Sequence, residues 1–216
     1  MKLSKRLQVV ASFIPDNSSL LDVGCDHALL DIYLMKTKQN IKIIASDVNP
    51  NPLKIAKDNL IKYNLQNQIT LKKMDGIKEI PKSVDTIVVA GMGGILITNI
   101  LQKEKLTNIK NIILAPNNDF PIVRKHLNKL GYKIIKEQLV IDNQKTYLVL
   151  KYVRGKEKIN HYFGTLSNKN LETIYYYTNI LNTNLHNLKK IPSKYIIKRT
   201  KIKIENKIIT NFFKQK

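Results

Sequence analysis

The chain of 216 residues has no tryptophan, a single cysteine, and only 16 acidic residues against 37 Lys and Arg. Cys25 alone cannot make an intrachain disulfide, and such cysteine usage suits a reducing cytosol. No apolar run is long enough to span a bilayer. The opening stretch MKLSKRLQVVASFIPDNSS is basic and then apolar, the outline of a secretion signal, but Gln8 and Ser12 interrupt the apolar run and no small-residue cleavage site follows. It reads as a short amphipathic helix ending before Pro15. The shortage of acids leaves a formal charge of +21, which attracts polyanions, nucleic acid first and anionic membrane second. The chain is also saturated with Lys, Ile and Asn, as AT-rich coding sequence produces, so part of its lysine content reflects composition.

Between residues 19 and about 152, apolar strand-like runs alternate with helical patterns. Strands are expected at 19–23, 41–47, 68–74, 85–91 and 110–116, then as a hairpin at 132–142 and 145–153 across the turn DNQK. Helices are expected at 28–36, 52–64 (opened by Pro50 and Pro52), 93–103 and 119–130, the last stopped by Gly131. This order indicates an α/β fold: a mostly parallel seven-stranded sheet, covered by helices on both faces, with one antiparallel strand. The pattern changes from residue 156. Residues 156–216 carry thirteen Lys or Arg and three Glu, with helical spacing at 168–191 and 193–216 around Pro192. Two antiparallel helices are expected there, the second capped by Ser193. No internal repeat is visible.

The segment LLDVGCDHALLDIYL, residues 20–34, has the layout of a nucleotide-cofactor loop without its glycines. Gly24 permits the turn after the first strand. A dinucleotide loop needs further glycines so that backbone amides can approach a pyrophosphate; here Cys25, Asp26, His27 and Ala28 follow. A carboxylate beside a pyrophosphate is repulsive in a poorly screened site, which argues against NAD or ATP. Acids recur at the next strand ends, Asp47 in ASDVN and Asp75 in KKMDGI. A cationic ligand without phosphate suits this set. S-adenosyl-L-methionine is one, carrying a sulfonium and an ammonium. Asp22 and Asp26 would supply the field, with Asp22 facing the ammonium. Asp47 would take the ribose hydroxyls, and Asp75 the adenine amino group, with Met74 and Ile77 over the ring. Any one Asp after a strand is commonly a turn residue or helix cap. In VVAGMGG, residues 88–94, three glycines in four positions let a planar base approach the backbone, and equally suit a tight turn opening a helix. Pro116 and Asn117 offer a rigid carbonyl or amide to a base, or form an ordinary loop.

The stretches RLQVVASFIP, DVGCDHALL, SDVNPNPLKIAKDN, MDGI, VAGMGGILI and ILAPN resemble the bacterial tRNA (adenine(22)-N1)-methyltransferases. The resemblance covers residues 1 to about 153 closely, and the remainder in length and helical character. It implies a Rossmann-like class I methyltransferase sheet, six strands parallel and one antiparallel, plus a small C-terminal α-helical domain. Residues 1–155 would bind S-adenosyl-L-methionine, and residues 156–216 would form a basic tRNA-binding domain. Cofactor contacts are implied at Gly24, Asp47, Asp75 and Gly91. Their neighbours Asp22, Cys25, Val48, Gly76 and Ala90 join that set, and Asp26 and His27 fall close to the reaction centre. Substrate contacts are expected at Met92, Gly93, Gly94, Pro116 and Asn117, and at Lys189, Lys190, Lys194, Lys198 and Arg199. Ser46-Asp47-Val48-Asn49 stands where the family often has Gly-Glu-Val-Asn, one carbon longer at the acid. Ala115-Pro116-Asn117 replaces the commoner Gln-Pro-Asn.

The reaction implied is methylation of N1 of adenine 22 in tRNA. Adenine N1 has a lone pair, so an in-line displacement on the sulfonium methyl needs no covalent enzyme intermediate and no metal; positioning is the main contribution. The methylated base is cationic. Asp26 would stabilise it and accept an N6 proton, or else would shape the loop and cap the next helix. His27 is expected at the helix N-terminus, bonded to backbone, and Cys25 as a packed side chain. Tyr175, Tyr176 and Tyr177 either stack on bases or pack. The expected partner is tRNA in the cytoplasm, with no membrane and no obligate protein partner. The alternatives are a methyltransferase acting on another RNA, on protein or on a small molecule, and a non-catalytic RNA-binding protein with such a pocket. The absence of an Asn-Pro-Pro-Tyr-type motif argues against exocyclic amine methylation.

Overall fold

The computed structural model of the chain describes residues 3–102 and 106–215. The expected helix over 93–103 ends, and the expected C-terminal helix closes, on Lys103 and Lys216, which lie outside the described residues. Two compact units are present, Met1–Thr165 and Leu166–Lys216.

The first unit opens with α1 (Lys5–Phe13), whose Ser4 side chain caps Leu7 N–H. There follow β1 (Ser19–Val23), α2 (Leu29–Thr37), β2 (Lys42–Asp47), α3 (Pro50–Lys62) and β3 (Ile69–Lys73). Then come β4 (Thr86–Ala90), α4 (Gly94–Gln102), β5 (Asn111–Ala115), α5 (Phe120–Lys129), β6 (Tyr132–Asp142) and β7 (Lys145–Arg154). The proline at the first position of α3 presets its backbone. Gly131, at φ +80°, ends α5 as its sequence position suggests. The β6–β7 turn holds Asn143 and Gln144 both at positive φ, the geometry a two-residue hairpin turn requires.

The seven strands lie in the order β3-β2-β1-β4-β5-β7-β6. β7 alone runs against its neighbours. Near-continuous burial of β1, β4 and β5 fits strands covered on both faces. The chain leaves β1 toward β2 and β3, then returns to the other side of β1 for β4 and β5. Right-handed crossovers therefore place the helices of the two halves on opposite faces. The strand order reverses between β1 and β4, and their carboxyl ends open a crevice there.

Residues 156–165 fold with the first unit, ten residues beyond the expected boundary. A fully buried ion pair holds them. Arg124 Nη2 lies 2.6 Å from Glu137 Oε1, while Arg124 Nη1 donates to the carbonyls of His161 and Tyr162 at 3.1 and 2.7 Å. Glu137 Oε2 in turn accepts from Thr165 N at 2.6 Å.

The second unit is a helical hairpin of α6 (Leu171–Lys190) and α7 (Ile196–Lys214). Tyr177, Ile209 and Phe212 are buried, and the Tyr177 and Phe212 rings meet edge-on with centroids 5.8 Å apart. Tyr177 is therefore packing, while Tyr175 is exposed. Buried Asn184 donates to Glu205 and Asn206 at 2.8 and 2.9 Å, a polar contact that fixes helix register. Asn170 caps α6. Ser193 does not cap α7: the N-cap is Tyr195, with no side-chain hydrogen bond, because the helix starts later than the serine allows.

Candidate active site

A cleft of about 460 Å³ lies at the carboxyl ends of β2, β1 and β4, within the range of small-molecule sites. Ten of the sequence-derived candidates line it: Asp22, Gly24, Cys25, Asp26, His27, Asp47, Val48, Ala90, Gly91 and Met92.

The loop after β1 is built on three left-handed residues, Gly24, Asp26 and Ala28. Gly24 N and Cys25 N both donate to Ser46 O, at 2.8 and 2.9 Å, and Ser46 Oγ donates to Asp22 O at 3.0 Å. The loop is thus pinned to the end of β2. Gly24 sits at φ +75°, which favours glycine, and a Cβ there would meet only the Met92 methyl, the far end of a flexible side chain. Asn59 Nδ2 donates to His27 O at 2.9 Å. Asp26 Oδ1 lies 3.4 Å from His27 Nε2, with the Asp26 side chain 74% exposed at the mouth. Cys25 is buried; burial first, and then the charges of Asp22, Asp31 and Asp47, push its thiol well above its usual range. It is packing, not a nucleophile.

Asp22 is buried at the floor. Burial raises its carboxyl to about 7, opposed by a hydrogen bond from Asp31 and reinforced by the Asp47 charge. Asp31, from α2, is 0% exposed, and neither carboxylate oxygen meets a donor from another described residue. Such a carboxyl is satisfied by carrying a proton and donating it to Asp22. Burial, the Asp22 charge and this hydrogen bond hold it well above the ordinary carboxylate range. The sequence offered one signal for Asp31, a lone acid inside the apolar run LLDIYLM.

At the β2 end, Asp47 Oδ1 accepts from Asn49 N at 2.9 Å, which fixes the carboxylate. Val48 beside it is 52% exposed, an apolar surface on the cleft wall. Asp75 and Gly76 are not in the cleft lining. Asp75 Oδ2 pairs with Lys78 Nζ, three residues on, at 2.7 Å, Gly76 packs toward Ile100, and Met74 and Ile77 are core side chains.

Gly93, Gly94, Pro116 and Asn117 are not in the cleft lining. Asn117 Nδ2 donates to Gly91 O at 2.7 Å and Asn117 N to Met92 O at 2.9 Å. Gly94 N donates to Asn118 Oδ1 at 2.9 Å. A Cβ on Gly94 would sit 2.7 Å from Asn118 O and 2.8 Å from Asp119 Cβ. The glycine run thus serves the tight turn. Gly94→Ala is expected to cost roughly 1–3 kcal/mol by overpacking and to displace Asn118, whose side chain holds Gly94 N–H; urea denaturation measures it, and an unchanged midpoint would contradict this packing.

In the hairpin, Lys189, Lys190, Lys194 and Lys198 are exposed. Arg199 is not available in the same way: its Nη1 donates to Leu188 O and Ile191 O at 2.6 and 2.5 Å, closing the end of α6. Sequence patterning also did not single out Arg6, Leu29 and Leu96, which line the cleft.

A family model described as a methyltransferase domain matches residues 3–150. The curated tRNA (adenine(22)-N(1))-methyltransferase of Bacillus subtilis is 39% identical over 153 residues, 69% of this chain and 64% of that enzyme's length. The chain belongs to this methyltransferase family. The match spans slightly less than two thirds of the Bacillus enzyme. A Streptococcus agalactiae protein in the NADB-Rossmann superfamily has a TM-score of 0.92 at 30% identity, covering 99% of this chain and 98% of that one. TrmK of M. capricolum, in complex with its natural cofactor product S-adenosyl-homocysteine, has a TM-score of 0.88 at 29% identity, covering 99% of each chain. The family model stops at residue 150, whereas the structural likeness runs on through the hairpin.

Proposed function

We propose that this protein transfers a methyl group from S-adenosyl-L-methionine to N1 of adenine 22 in tRNA. One observation carries the reading: the cleft at the switch point is lined by Asp22, Asp26 and Asp47 and lacks the glycine amides a pyrophosphate needs. Its residues fit the cofactor. Asp47, oriented by Asn49, suits the ribose diol; Val48 offers an apolar face to adenine; Asp22 suits the ammonium. The bound cofactor supplies an electrophilic sulfonium methyl.

The chain's own part is placement and charge. The base must be turned out of the folded tRNA to enter the cleft. Gly91, held by Asn117, lets it approach the backbone of β4. Asp26, exposed at the mouth, favours the cationic methylated base and can take an N6 proton. The hairpin, with eleven Lys or Arg against two Glu between residues 166 and 216, supplies charge for the tRNA backbone. Among the described residues no helix is long and apolar enough to cross a membrane, and a tRNA substrate accords with a cytoplasmic protein.

The test is transfer of tritiated methyl to unmodified tRNA, followed by mapping of the labelled nucleotide. Label at N1 of adenine 22 supports the proposal; label elsewhere favours another RNA site, and none despite cofactor binding favours a non-catalytic RNA-binding protein. Alanine at Lys189, Lys190, Lys194 and Lys198 together is expected to weaken tRNA binding and to lower the salt slope by about 1 for each phosphate no longer neutralised. An unchanged slope would remove the hairpin from the tRNA interface.

A further inference from the structure

Asp31 is the third residue of α2 and is hydrogen-bonded to Asp22. Asp22 lines the cleft and Asp31 does not. Both are buried, at 4% and 0% exposure, and neither makes an ion pair among the described residues. Of the elements around them, β2 brings Asp47, the loop after β1 brings Cys25, Asp26 and His27, α1 brings Arg6 to the cleft, and β4 brings no titratable side chain. Two carboxyls in contact without a cation do not both ionise. An O–H must therefore lie between them. Neither Asp31 oxygen meets a donor from another described residue, so nothing there would stabilise Asp31 as an anion. Asp22 is the member whose charge a ligand in the cleft can change.

We propose that Asp31 is a positioning residue for the cofactor: it keeps its proton and donates it to Asp22, so that Asp22 gives up its own proton to solvent when the ligand ammonium arrives. The inference rests on the cofactor reading above, with Asp22 on the ammonium, and assigns the proton behind that contact. The Asp22 O–H bond breaks and its proton leaves to the buffer. The Asp22 carboxylate then accepts one hydrogen bond from Asp31 and one from the ammonium, both charge-assisted. An ionised Asp31 would instead set two anions side by side, and a single ligand cation in the cleft reaches only Asp22. Burial holds Asp22 up to about 7, so below that pH the floor of the cleft is neutral and binding displaces a proton. Affinity for the cofactor therefore rises with pH and levels off above about 7.

Calorimetry on the full chain, repeated in buffers of different ionisation enthalpy, counts the protons released. The probes are S-adenosyl-homocysteine and its counterpart without the amino group. The wild type is expected to release about one proton per S-adenosyl-homocysteine at about pH 6, and to bind it roughly tenfold more tightly at about pH 8. The ligand without the amino group is expected to release none and to bind equally at both. Asp31→Leu leaves Asp22 without its donor and is expected to weaken S-adenosyl-homocysteine binding a further tenfold or so at about pH 6, with recovery at higher pH. Asp31→Asn still donates an N–H and is expected to keep the wild-type profile. Asp47 and His27 are common to the three proteins, so the difference between their profiles reports Asp31. No proton release by the wild type at about pH 6 overturns the proposal, even if Asp31→Leu does not fold. So does equal release with both ligands, or a loss in Asp31→Leu that is the same at every pH, the result of a purely structural role. Failure of the wild type to bind either ligand overturns the cofactor assignment itself.

Discussion

Arg124→Met is expected to lower the unfolding free energy by about 3–5 kcal/mol, the cost of leaving a buried charge without its partner. Both side chains of the Arg124–Glu137 pair are 0% exposed. Once the guanidinium is gone, the Glu137 carboxylate stays among groups that cannot replace it. The Tyr152 hydroxyl is also buried, has no hydrogen-bond partner among the described residues, and is held well above its usual pKa by burial and by the Glu137 charge. The same change frees the carbonyls of His161 and Tyr162, so residues 156–165 should become the first segment cut by protease. Combining Arg124→Met with Glu137→Leu is expected to cost less than the single change, because no unpaired charge remains. Urea denaturation measures all three proteins. A double variant as unstable as the sum of the two singles would show that the pair does not act as a unit.

The order of elements was legible in the sequence because each leaves a local signature: a short continuous apolar run for the buried strands β1, β4 and β5, a period of 3.6 for helices, with Gly131 and Pro50 as punctuation. The strand-end acids were legible for a related reason. A loop that follows a buried strand opens at the sheet's edge, so Asp22, Asp26 and Asp47 reach one cleft without any long-range information. Local rules fail where a distant partner decides. Arg6 belongs to a helix that precedes the whole sheet, and only the docking of α1 brings it beside Gly91 and Tyr147. The unit boundary falls later than expected because Arg124 and Glu137, far from residues 161–165 in sequence, clamp that segment. Arg199 looked like one more basic residue, until the turn at Pro192 returned it to the carbonyls of α6.

The buried acids make stability depend on pH in an unusual direction. An ordinary salt-bridged carboxylate has a depressed pKa and loses stability in acid. Asp22 is raised from 3.8 to about 7, and Asp31 is raised well above the ordinary range in the same sense. The folded state therefore binds more protons than the unfolded chain above pH 4, and the stability linked to this pair falls as pH rises through about 7. A rise from 3.8 to about 7 corresponds to on the order of 4 kcal/mol, and roughly 2–4 is the expected range once solvent reaches Asp22 from the cleft. Asp31→Asn removes the proton that must be held and still donates an N–H to Asp22. Its curve should be flatter, near wild type at about pH 4.5 and about 2–3 kcal/mol more stable at about pH 8.5. The high positive charge of the chain also destabilises it in acid, but that effect is common to both proteins and cancels in their difference. Urea titrations at several pH values give that difference directly. If the two proteins lose stability in parallel from about pH 4.5 to about 8.5, the shared proton is not there.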